Sequence, residues 1–359
     1  MVYRAIGVMS GSSLDGLDIA FVEFQEQGGH WSYAIKTATC LPFSAEWLDR
    51  LLNARNLDAR SYMQLHADFG HYIGKQVSAF MQEKELQYQV GLIASHGHTV
   101  FHNPSGKMTA QLGDGAAIAA ETKLPVVTEL RALDIALGGQ GAPIVPIGES
   151  YLFSGYTYFL NLGGIANISM HKDKKFTAFD ICPANRVLNL LAAELGLSFD
   201  TDGKLAREGS LDQELLSDLG ALSYYHQSPP KSLANEFGTD TILPMIRSRK
   251  ITSGDALHTY TEHIARQISL ACEDHDPRVP ARLLITGGGA FNQYLVERIR
   301  DLLLGKGIET VIPDPLLINY KEAMIMAFMG VLRWRQENNV MHTVTGAVAD
   351  SVGGALYIG

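Results

Sequence analysis

Short apolar runs alternate with polar or glycine-rich turns along the first part of this chain. Three of these runs predict strands, and the first two form a hairpin: residues 3–9, 18–24 and 31–39. Apolar positions then recur at helical spacing in residues 44–55 and 61–86, with Ser44 placed to cap the first helix. The pattern therefore predicts a strand hairpin, a third strand and two helices.

Strands and helices continue to alternate in the rest of the chain. Further strands are predicted at residues 90–94, 125–128, 158–162, 176–180, 282–286 and 310–312. Further helices are predicted at residues 114–122, 185–195, 211–221, 254–272, 293–304 and 321–338. This mixture predicts an α/β architecture, and the similar opening of the two halves suggests a duplicated domain.

Composition narrows the class of protein. The chain has 359 residues, enough for two domains, with 46% hydrophobic and 19% charged residues. The net charge of −9 argues against a nucleic-acid or membrane partner. Three cysteines without a close pair (Cys40, Cys182, Cys272) fit a reducing cytosol. We see no signal peptide and no apolar run of the ~18 residues that a membrane span needs, so we expect a cytoplasmic protein.

Three glycine-rich turns follow apolar runs, at residues 7–18, 160–167 and 284–292. Adjacent backbone N–H groups in such turns bind anions, and glycine allows close approach. The sequence therefore predicts a nucleotide held between two domains, although the first turn alone is equally typical of a hairpin and glycines like those of the third are usually structural. The candidate nucleotide contacts are Gly11, Ser12, Ser13, Asp15, Gly16, Asp18, Gly163 and Gly164 around the phosphates, and Gly287, Gly288 and Gly289 at the adenosine.

The first turn carries two carboxylates, Asp15 and Asp18, either of which could hold a hydrated Mg²⁺. The turn is not a Walker A loop, because no Gly-Lys-Ser/Thr follows, and the third turn comes too late for a Rossmann fingerprint. A histidine cluster at residues 95–98, with His102, is placed on a loop. We expect it to form hydrogen bonds rather than a metal site.

Asp180 ends a predicted strand, where α/β proteins place their chemistry, and could act as a general base. The alternative is that its side chain caps the helix predicted to start at Asn185.

Short motifs spread over nearly the whole chain occur in the order typical of one enzyme family. They are residues 7–18 (GVMSGSSLDGLD), 95–100 (SHGHTV), 138–143 (GGQGAP), 161–167 (NLGGIAN), 230–232 (PKS), 322–323 (EA) and 344–347 (VTGA). On these motifs the chain resembles the anhydro-N-acetylmuramic acid kinase family, of the sugar kinase/Hsp70/actin ATPase superfamily.

The resemblance implies a two-domain actin-like ATPase fold of the ribonuclease H-like type, with ATP and sugar meeting in an interdomain cleft. It places the first domain at residues 1–130, completed by residues 342–359, and the second at residues 131–341. A homodimer is also expected from the family.

The resemblance also implies an ATP- and Mg²⁺-dependent kinase that acts in peptidoglycan recycling. Asp180 would activate a water that opens the 1,6-anhydro bridge, and the freed O6 would take the γ-phosphoryl group of ATP. Glu322 would help to position the water or the sugar. The candidate sugar contacts are His96, His98, Arg131 and Asn185.

One motif departs from the family. Residues 179–185 read FDICPAN where FDTGPGN is usual, so Cys182 and Ala184 replace two glycines. This change motivates an alternative substrate, another anhydrosugar such as levoglucosan. A second alternative is a non-catalytic ATP-binding switch on the same fold, which would need no base at Asp180.

Overall fold

The computed structural model describes residues 1–11, 14–172, 175–229, 231–234, 236–273 and 275–359. Its strands are β1 (Val2–Ser10), β2 (Leu17–Gln27), β3 (His30–Leu41), β4 (Leu92–Asn103), β5 (Met108–Leu112), β6 (Val126–Thr128), β7 (Tyr158–Leu162), β8 (Ile165–Lys172), β9 (Lys175–Pro183), β10 (Ala281–Thr286), β11 (Ile308–Val311) and β12 (Ala355–Tyr357).

Among the described residues, eight helices lie at the predicted positions, although one of them begins six residues before the predicted residue 321, and five short helices were not predicted. The helices are α1 (Ala45–Leu52), α2 (Ala59–Glu83), α3 (Gly115–Thr122), α4 (Ala132–Ala136), α5 (Pro146–Leu152), α6 (Asn185–Ala193), α7 (Lys204–Glu208), α8 (Gln213–Gly220), α9 (Leu243–Ser248), α10 (Ser253–Ala271), α11 (Gln293–Leu304), α12 (Pro315–Trp334) and α13 (His342–Thr345). Ser44 caps α1 as predicted, since its side chain accepts a hydrogen bond from the Trp47 N–H.

The histidine segment at residues 95–98 lies in a strand, so its placement on a loop was wrong. β4 continues to Asn103 because its second half pairs antiparallel with β5, a strand that the sequence pattern did not predict. The pairing of β4 with β1 is irregular at this point, and Gly97 has a φ of +71°. Glycine accommodates this backbone without the strain that a side chain would cause.

The chain forms two units. The first comprises residues 1–154 and 320–359, and the second comprises residues 155–319. The C-terminal segment returns to the first unit, as the resemblance implies, but the boundaries differ from the predicted 130/131 and 341/342. Residues 131–154 belong to the first unit because long-range contacts hold them there. Thr345 donates a 2.6 Å hydrogen bond to the buried Asp134 carboxylate, and Lys321 forms a 2.8 Å ion pair with Glu149.

The first unit is built on a mixed sheet with strand order β12-β6-β4-β1-β2-β3. β1, β2 and β3 are antiparallel neighbours, whereas β4 runs parallel to both β1 and β6. The inward faces of these strands pack against α2 and α3 around Ile6, Phe69, Ile93 and Ile118, each fully buried.

The second unit repeats this arrangement. Its strand order is β11-β10-β7-β8-β9, with β7, β8 and β9 antiparallel and β10 parallel to both β7 and β11. In each unit, three antiparallel strands come first along the chain. Two further strands follow on the other side of the first strand and run parallel to it. This confirms the duplicated α/β architecture and agrees with the expected ribonuclease H-like fold. The second core surrounds Leu160, Leu191, Tyr260 and Ile285.

Helix α12 approaches β1 very closely within the first unit. A Cβ built on Gly7 would lie 1.7 Å from the carbonyl oxygen of Ala323, so only glycine permits this approach. Contrary to the sequence-based expectation, α12 is long and apolar enough to cross a membrane by length and composition alone. However, 72% of its apolar window is buried inside the protein, as is typical of a core helix.

Candidate functional site

The first glycine-rich turn lies at the tip of the β1–β2 hairpin. Ser10 pairs with Leu17, so the turn spans the residues between them, and the Gly11 carbonyl accepts a hydrogen bond from the Leu14 N–H. The predicted contacts Ser12 and Ser13 lie outside the described residues. A Cβ on Gly16 would lie 2.5 Å from the Leu41 carbonyl oxygen, so packing against β3 by itself requires this glycine.

Three carboxylates lie near one another in the first unit. Burial raises the pKa of Asp18 to about 6, and the negative charges of Glu322 and Asp15 act in the same direction. A hydrogen bond with the Cys40 thiol lowers this pKa, an effect second only to that of burial. Carboxylate oxygens that repel one another are a donor set that fits Mg²⁺, which binds proteins through one or two carboxylates. Asp15 and Asp18 are therefore suited to the predicted metal role.

Glu322 occupies α12 next to the close approach of that helix to β1. Burial raises the pKa of its carboxyl group, while the positive charges of Lys321 and Arg131 partly oppose this effect. Lys321 is itself almost fully buried in its ion pair with Glu149. A buried ion pair of this kind is costly to break, because either partner alone would be an uncompensated charge. The pair thus fixes α12 within the unit at the residue adjoining Glu322.

Of the predicted sugar contacts in the first unit, Arg131 and His96 are hydrogen-bonded to each other, whereas His98 bonds to Ser10. Arg131 Nε donates to His96 Nε2 at 2.7 Å, and His96 Nδ1 lies 3.0 Å from the Gly97 carbonyl oxygen. Burial, aided by the Arg131 charge, lowers the pKa of His96 to about 3. His96 is therefore neutral, with its proton on Nδ1 and its Nε2 free to accept from Arg131. His98 Nδ1 lies 3.1 Å from Ser10 Oγ, and burial lowers the pKa of His98.

Arg131 is further held by the loop that carries the GGQGAP motif. Its Nη1 donates to the Gly141 carbonyl oxygen, and the Gly141 N–H donates to Asp134 Oδ2 at 2.8 Å. Asp134 is fully buried and also accepts the Thr345 hydroxyl. Two segments that the resemblance singled out, residues 138–143 and 344–347, therefore meet at Asp134 and orient Arg131.

Within the described residues, no group of three or more potential metal ligands is present.

In the second unit, the other two glycine turns contact each other. A Cβ on Gly287 would lie 2.3 Å from Asn161 Oδ1, and one on Gly289 would lie 2.7 Å from the Leu162 side chain. Gly287 also has a φ of +82°. Packing between the two turns is therefore sufficient reason for glycine at these positions.

Three other glycines have no such reason. A Cβ on Gly163, Gly164 or Gly288 would have its nearest neighbour at 3.4, 3.8 and 3.9 Å, which are ordinary contact distances. Their backbone also lies outside the left-handed region that favours glycine. Neither packing nor conformation requires glycine here, and without side chains the backbone of these residues is open to close approach by a ligand.

Asp180 lies near the end of β9, at an irregularity of the sheet. Asp180 pairs with Asn167 and Cys182 pairs with Ala166, so Ile181 is an extra residue on β9. Such bulges redirect side chains and are frequent next to active sites. The Leu233 N–H donates to Asp180 Oδ2 at 2.9 Å, which leaves the other carboxylate oxygen without a partner among the described residues. Burial raises the pKa of Asp180, and the Leu233 hydrogen bond opposes the increase.

Asp180 does not cap helix α6, so that alternative was wrong. The capping residue is Ala184, which has no side-chain hydrogen bond to the helix. The Gly163 and Gly164 carbonyls accept the first N–H groups of the helix instead, at 3.1 Å from Asn185 and 2.8 Å from Ala184. Asn185 Nδ2 donates to the Leu162 carbonyl oxygen at 2.9 Å, which joins the turn to the helix. A sugar contact of Asn185 stays a prediction.

Sequence reasoning missed the residues that hold Asp180. The Tyr224 hydroxyl donates to the Asp180 carbonyl oxygen at 2.6 Å, and the Asp180 N–H donates to the Lys231 carbonyl oxygen at 3.1 Å. The Lys231 ammonium lies 4.7 Å from the centre of the Tyr224 ring and donates to the Tyr224 carbonyl oxygen. The PKS motif at residues 230–232, of which Pro230 lies outside the described residues, was the available signal.

The two residues that depart from the family motif are buried. Cys182 and Ala184 are fully inaccessible and belong to the core of the second unit. Burial raises the pKa of the Cys182 thiol, which is therefore un-ionised. Both side chains point into the protein, so they affect a ligand only through the backbone of the turn.

Comparison with known proteins gives a consistent result. The chain matches the model of a family described as anhydro-N-acetylmuramic acid kinase over residues 3–359. It is 32% identical over 364 residues to the anhydro-N-acetylmuramic acid kinase of Vibrio vulnificus (strain YJ016), covering 98% of this chain and 97% of that protein. It is 30% identical over 375 residues to that of Microcystis aeruginosa, covering 98% and 99%.

Among solved structures, the chain is similar to an activator of 2-hydroxyisocaproyl-CoA dehydratase from Clostridium difficile with bound ADPNP. The TM-score is 0.43 at 13% sequence identity, covering 90% of this chain and 94% of that one.

The adjacent Tyr224 and Tyr225 allow a test of the hydrogen bond that the Tyr224 hydroxyl donates to the Asp180 carbonyl oxygen. Tyr224→Phe removes a hydroxyl that donates to a backbone carbonyl, so it should lower the free energy of unfolding by about 1–3 kcal/mol. Tyr225→Phe is the matched control, because the buried Tyr225 hydroxyl has no hydrogen-bond partner in the described part of the chain. Its removal should be neutral or stabilising. Denaturant unfolding of both variants measures the difference, and equal stabilities would contradict the assignment.

Proposed function

Because the chain belongs to the anhydro-N-acetylmuramic acid kinase family, we propose that it hydrolytically opens 1,6-anhydro-N-acetylmuramic acid and phosphorylates O6. The products are N-acetylmuramic acid 6-phosphate and ADP, and the role is peptidoglycan recycling in a bacterial cytoplasm. The chain is an enzyme of the sugar kinase class and uses ATP, so the alternative of a non-catalytic switch no longer applies.

The proposed base is Asp180, and its geometry is the observation that carries the proposal. One carboxylate oxygen is fixed by the Leu233 N–H, and the other is free to accept a proton. Asp180 takes a proton from water, whose oxygen bonds to the anomeric carbon as the bond from that carbon to O6 breaks. O6 then attacks the γ-phosphorus, the bond to ADP breaks, and the proton leaves to solvent. Burial raises the pKa of Asp180, which brings the base closer to the pH at which it would work.

The phosphate groups of ATP are assigned to the glycine turns. Gly163 and Gly164 offer backbone N–H groups at positions where the protein itself does not need glycine, and Gly288, another such position, is assigned to the adenosine. The first turn, with Gly11, is assigned the same role. Asp15 and Asp18 would hold Mg²⁺, which neutralises charge on the transferred phosphoryl group when bound. Glu322 is assigned to position the water or the sugar, and Arg131, oriented by Asp134 and His96, to contact the sugar.

The deciding experiment compares substrates. Sugar-dependent ADP release should be clear with 1,6-anhydro-N-acetylmuramic acid and weak with levoglucosan, because the Cys182 and Ala184 side chains point into the core and not toward a ligand. A coupled assay of purified protein measures both rates. A preference for levoglucosan would overturn the proposed substrate.

Asp180→Asn tests the base. The substitution keeps the size of the side chain and can still accept the Leu233 N–H, but it cannot take a proton. Turnover should fall by at least ~10²-fold, as is typical for loss of general base catalysis. ATP binding should be nearly unchanged, since the phosphate contacts are assigned to other turns. Near-normal turnover of the variant would remove Asp180 from the mechanism.

The pH dependence of the wild-type enzyme follows from the same residue. A general base acts only when deprotonated. The kcat should therefore reach its maximum above the pKa of Asp180 and fall as the pH decreases through that pKa. Because burial raises this pKa, the acidic limb should lie above the ordinary value of 3.8. A kcat profile between about pH 4 and 8 measures the limb. The residual turnover of Asp180→Asn should lack it, and an unchanged limb in that variant would assign the titration elsewhere.

A further inference from the structure

Three polar residues form a line across the end of the second sheet. Asn161 of β7 pairs directly with Asn167 of β8, and Asn167 pairs directly with Asp180 of β9. Residues directly opposite each other on neighbouring strands share one face, with Cβ atoms about 4.5–5.5 Å apart. The Asn167 carboxamide therefore stands beside the carboxylate of the proposed base.

The fold does not explain an asparagine at position 167. Asparagine is disfavoured in strands, and the flanking Ala166 and Ile168 are 0% and 1% exposed in the core on the opposite face. Asn167 itself is half-buried. Its carboxamide has no hydrogen-bond partner among the residues that the structure describes. The amide is accessible and uncommitted to the fold, so it is available to hydrogen-bond a ligand group.

The neighbouring Asn161 differs in this respect. Its Oδ1 packs against Gly287, and its side chain lies between the second and third glycine turns. Packing of the turns therefore accounts for Asn161, whereas nothing within the described part of the unit accounts for Asn167. Asn167, unlike Asn161, thus has an amide that is free to contact a reactant next to Asp180.

We propose that the Asn167 carboxamide binds the water that Asp180 deprotonates. This inference rests on the proposed function. An amide offers one acceptor and two donors, so it can orient a water whose proton points to the free Asp180 oxygen. Two fixed partners restrict the water far more than one, and correct orientation of a nucleophile is a large part of its reactivity. Asn167 would thus contribute a contact to the reacting water without taking part in proton transfer.

Asn167→Ala tests the proposal, with Ser169→Ala as the matched control. Ser169 lies two residues further along β8 on the same face, away from Asp180, where it pairs with Ala178. Asn167→Ala should lower kcat roughly tenfold or more, as expected for one lost hydrogen bond to a reacting group, with KM for ATP and for the sugar little changed. Ser169→Ala should leave kcat within about twofold of the wild type.

A second variant distinguishes loss of the amide from loss of the folded state. Asn167→Thr favours the strand more than asparagine does, so it should unfold at the same temperature as the wild type or higher while lacking the amide. It should show the same loss of kcat as Asn167→Ala.

The possible outcomes separate the role of Asn167 from the proposed function. Normal kcat in a folded Asn167 variant, with Asp180→Asn inactive, would overturn the role of Asn167 and leave the proposed function standing. A raised KM for the sugar at unchanged kcat would show that the amide binds the sugar and not the water, which also overturns the proposal. A wild-type enzyme without turnover on 1,6-anhydro-N-acetylmuramic acid would overturn the proposed function, and this inference with it.

Discussion

The hydrogen bonds at the end of β9 are the constraint on which the proposed chemistry depends. An edge strand has one row of backbone groups without a partner strand, and here the segment that carries Tyr224, Lys231 and Leu233 supplies those partners. The same segment donates an N–H to the Asp180 carboxylate, so the backbone and the side chain of the base are fixed together. Lys231 serves this arrangement by packing on the Tyr224 ring, where its charge gains a cation–π contact. The proposed base is therefore oriented by the protein itself before any reactant binds, which favours general base catalysis.

The first unit uses buried charge for a similar purpose. Asp134, Glu149 and Lys321 are almost completely inaccessible, and each has a charged or hydrogen-bonded partner. Such groups add little net stability compared with apolar residues, but they tolerate few alternative arrangements. They lie next to Arg131 and Glu322, two residues with proposed roles. Their cost in stability is thus consistent with fixing functional side chains.

The parallel pairing of β7 with β10 explains why the glycines of the second unit are of two kinds. In the second unit, the ends of β7 and β10 are parallel neighbours, so the turns that follow them come into contact. Gly287 and Gly289 are needed for that contact, because a side chain would collide with Asn161 or Leu162. Gly163, Gly164 and Gly288 are not needed for it, and they leave the backbone open on the same edge of the sheet. One cluster of glycines thus combines a packing requirement with a candidate binding surface.

The sequence by itself determined the family, the alternation of strands and helices, and Asp180 as the candidate base. These depend on local periodicity and on motifs whose residues are close together in the chain. It did not determine that residues 95–98 lie in a strand, because that strand exists only through pairing with β1 and β5. Nor could it separate Gly163 from Gly287, exclude Asp180 as a helix cap or place Asn167 beside it. Those properties depend on strand register and on the approach of segments distant in sequence, and a shift of one residue in register would move every side chain to the other face.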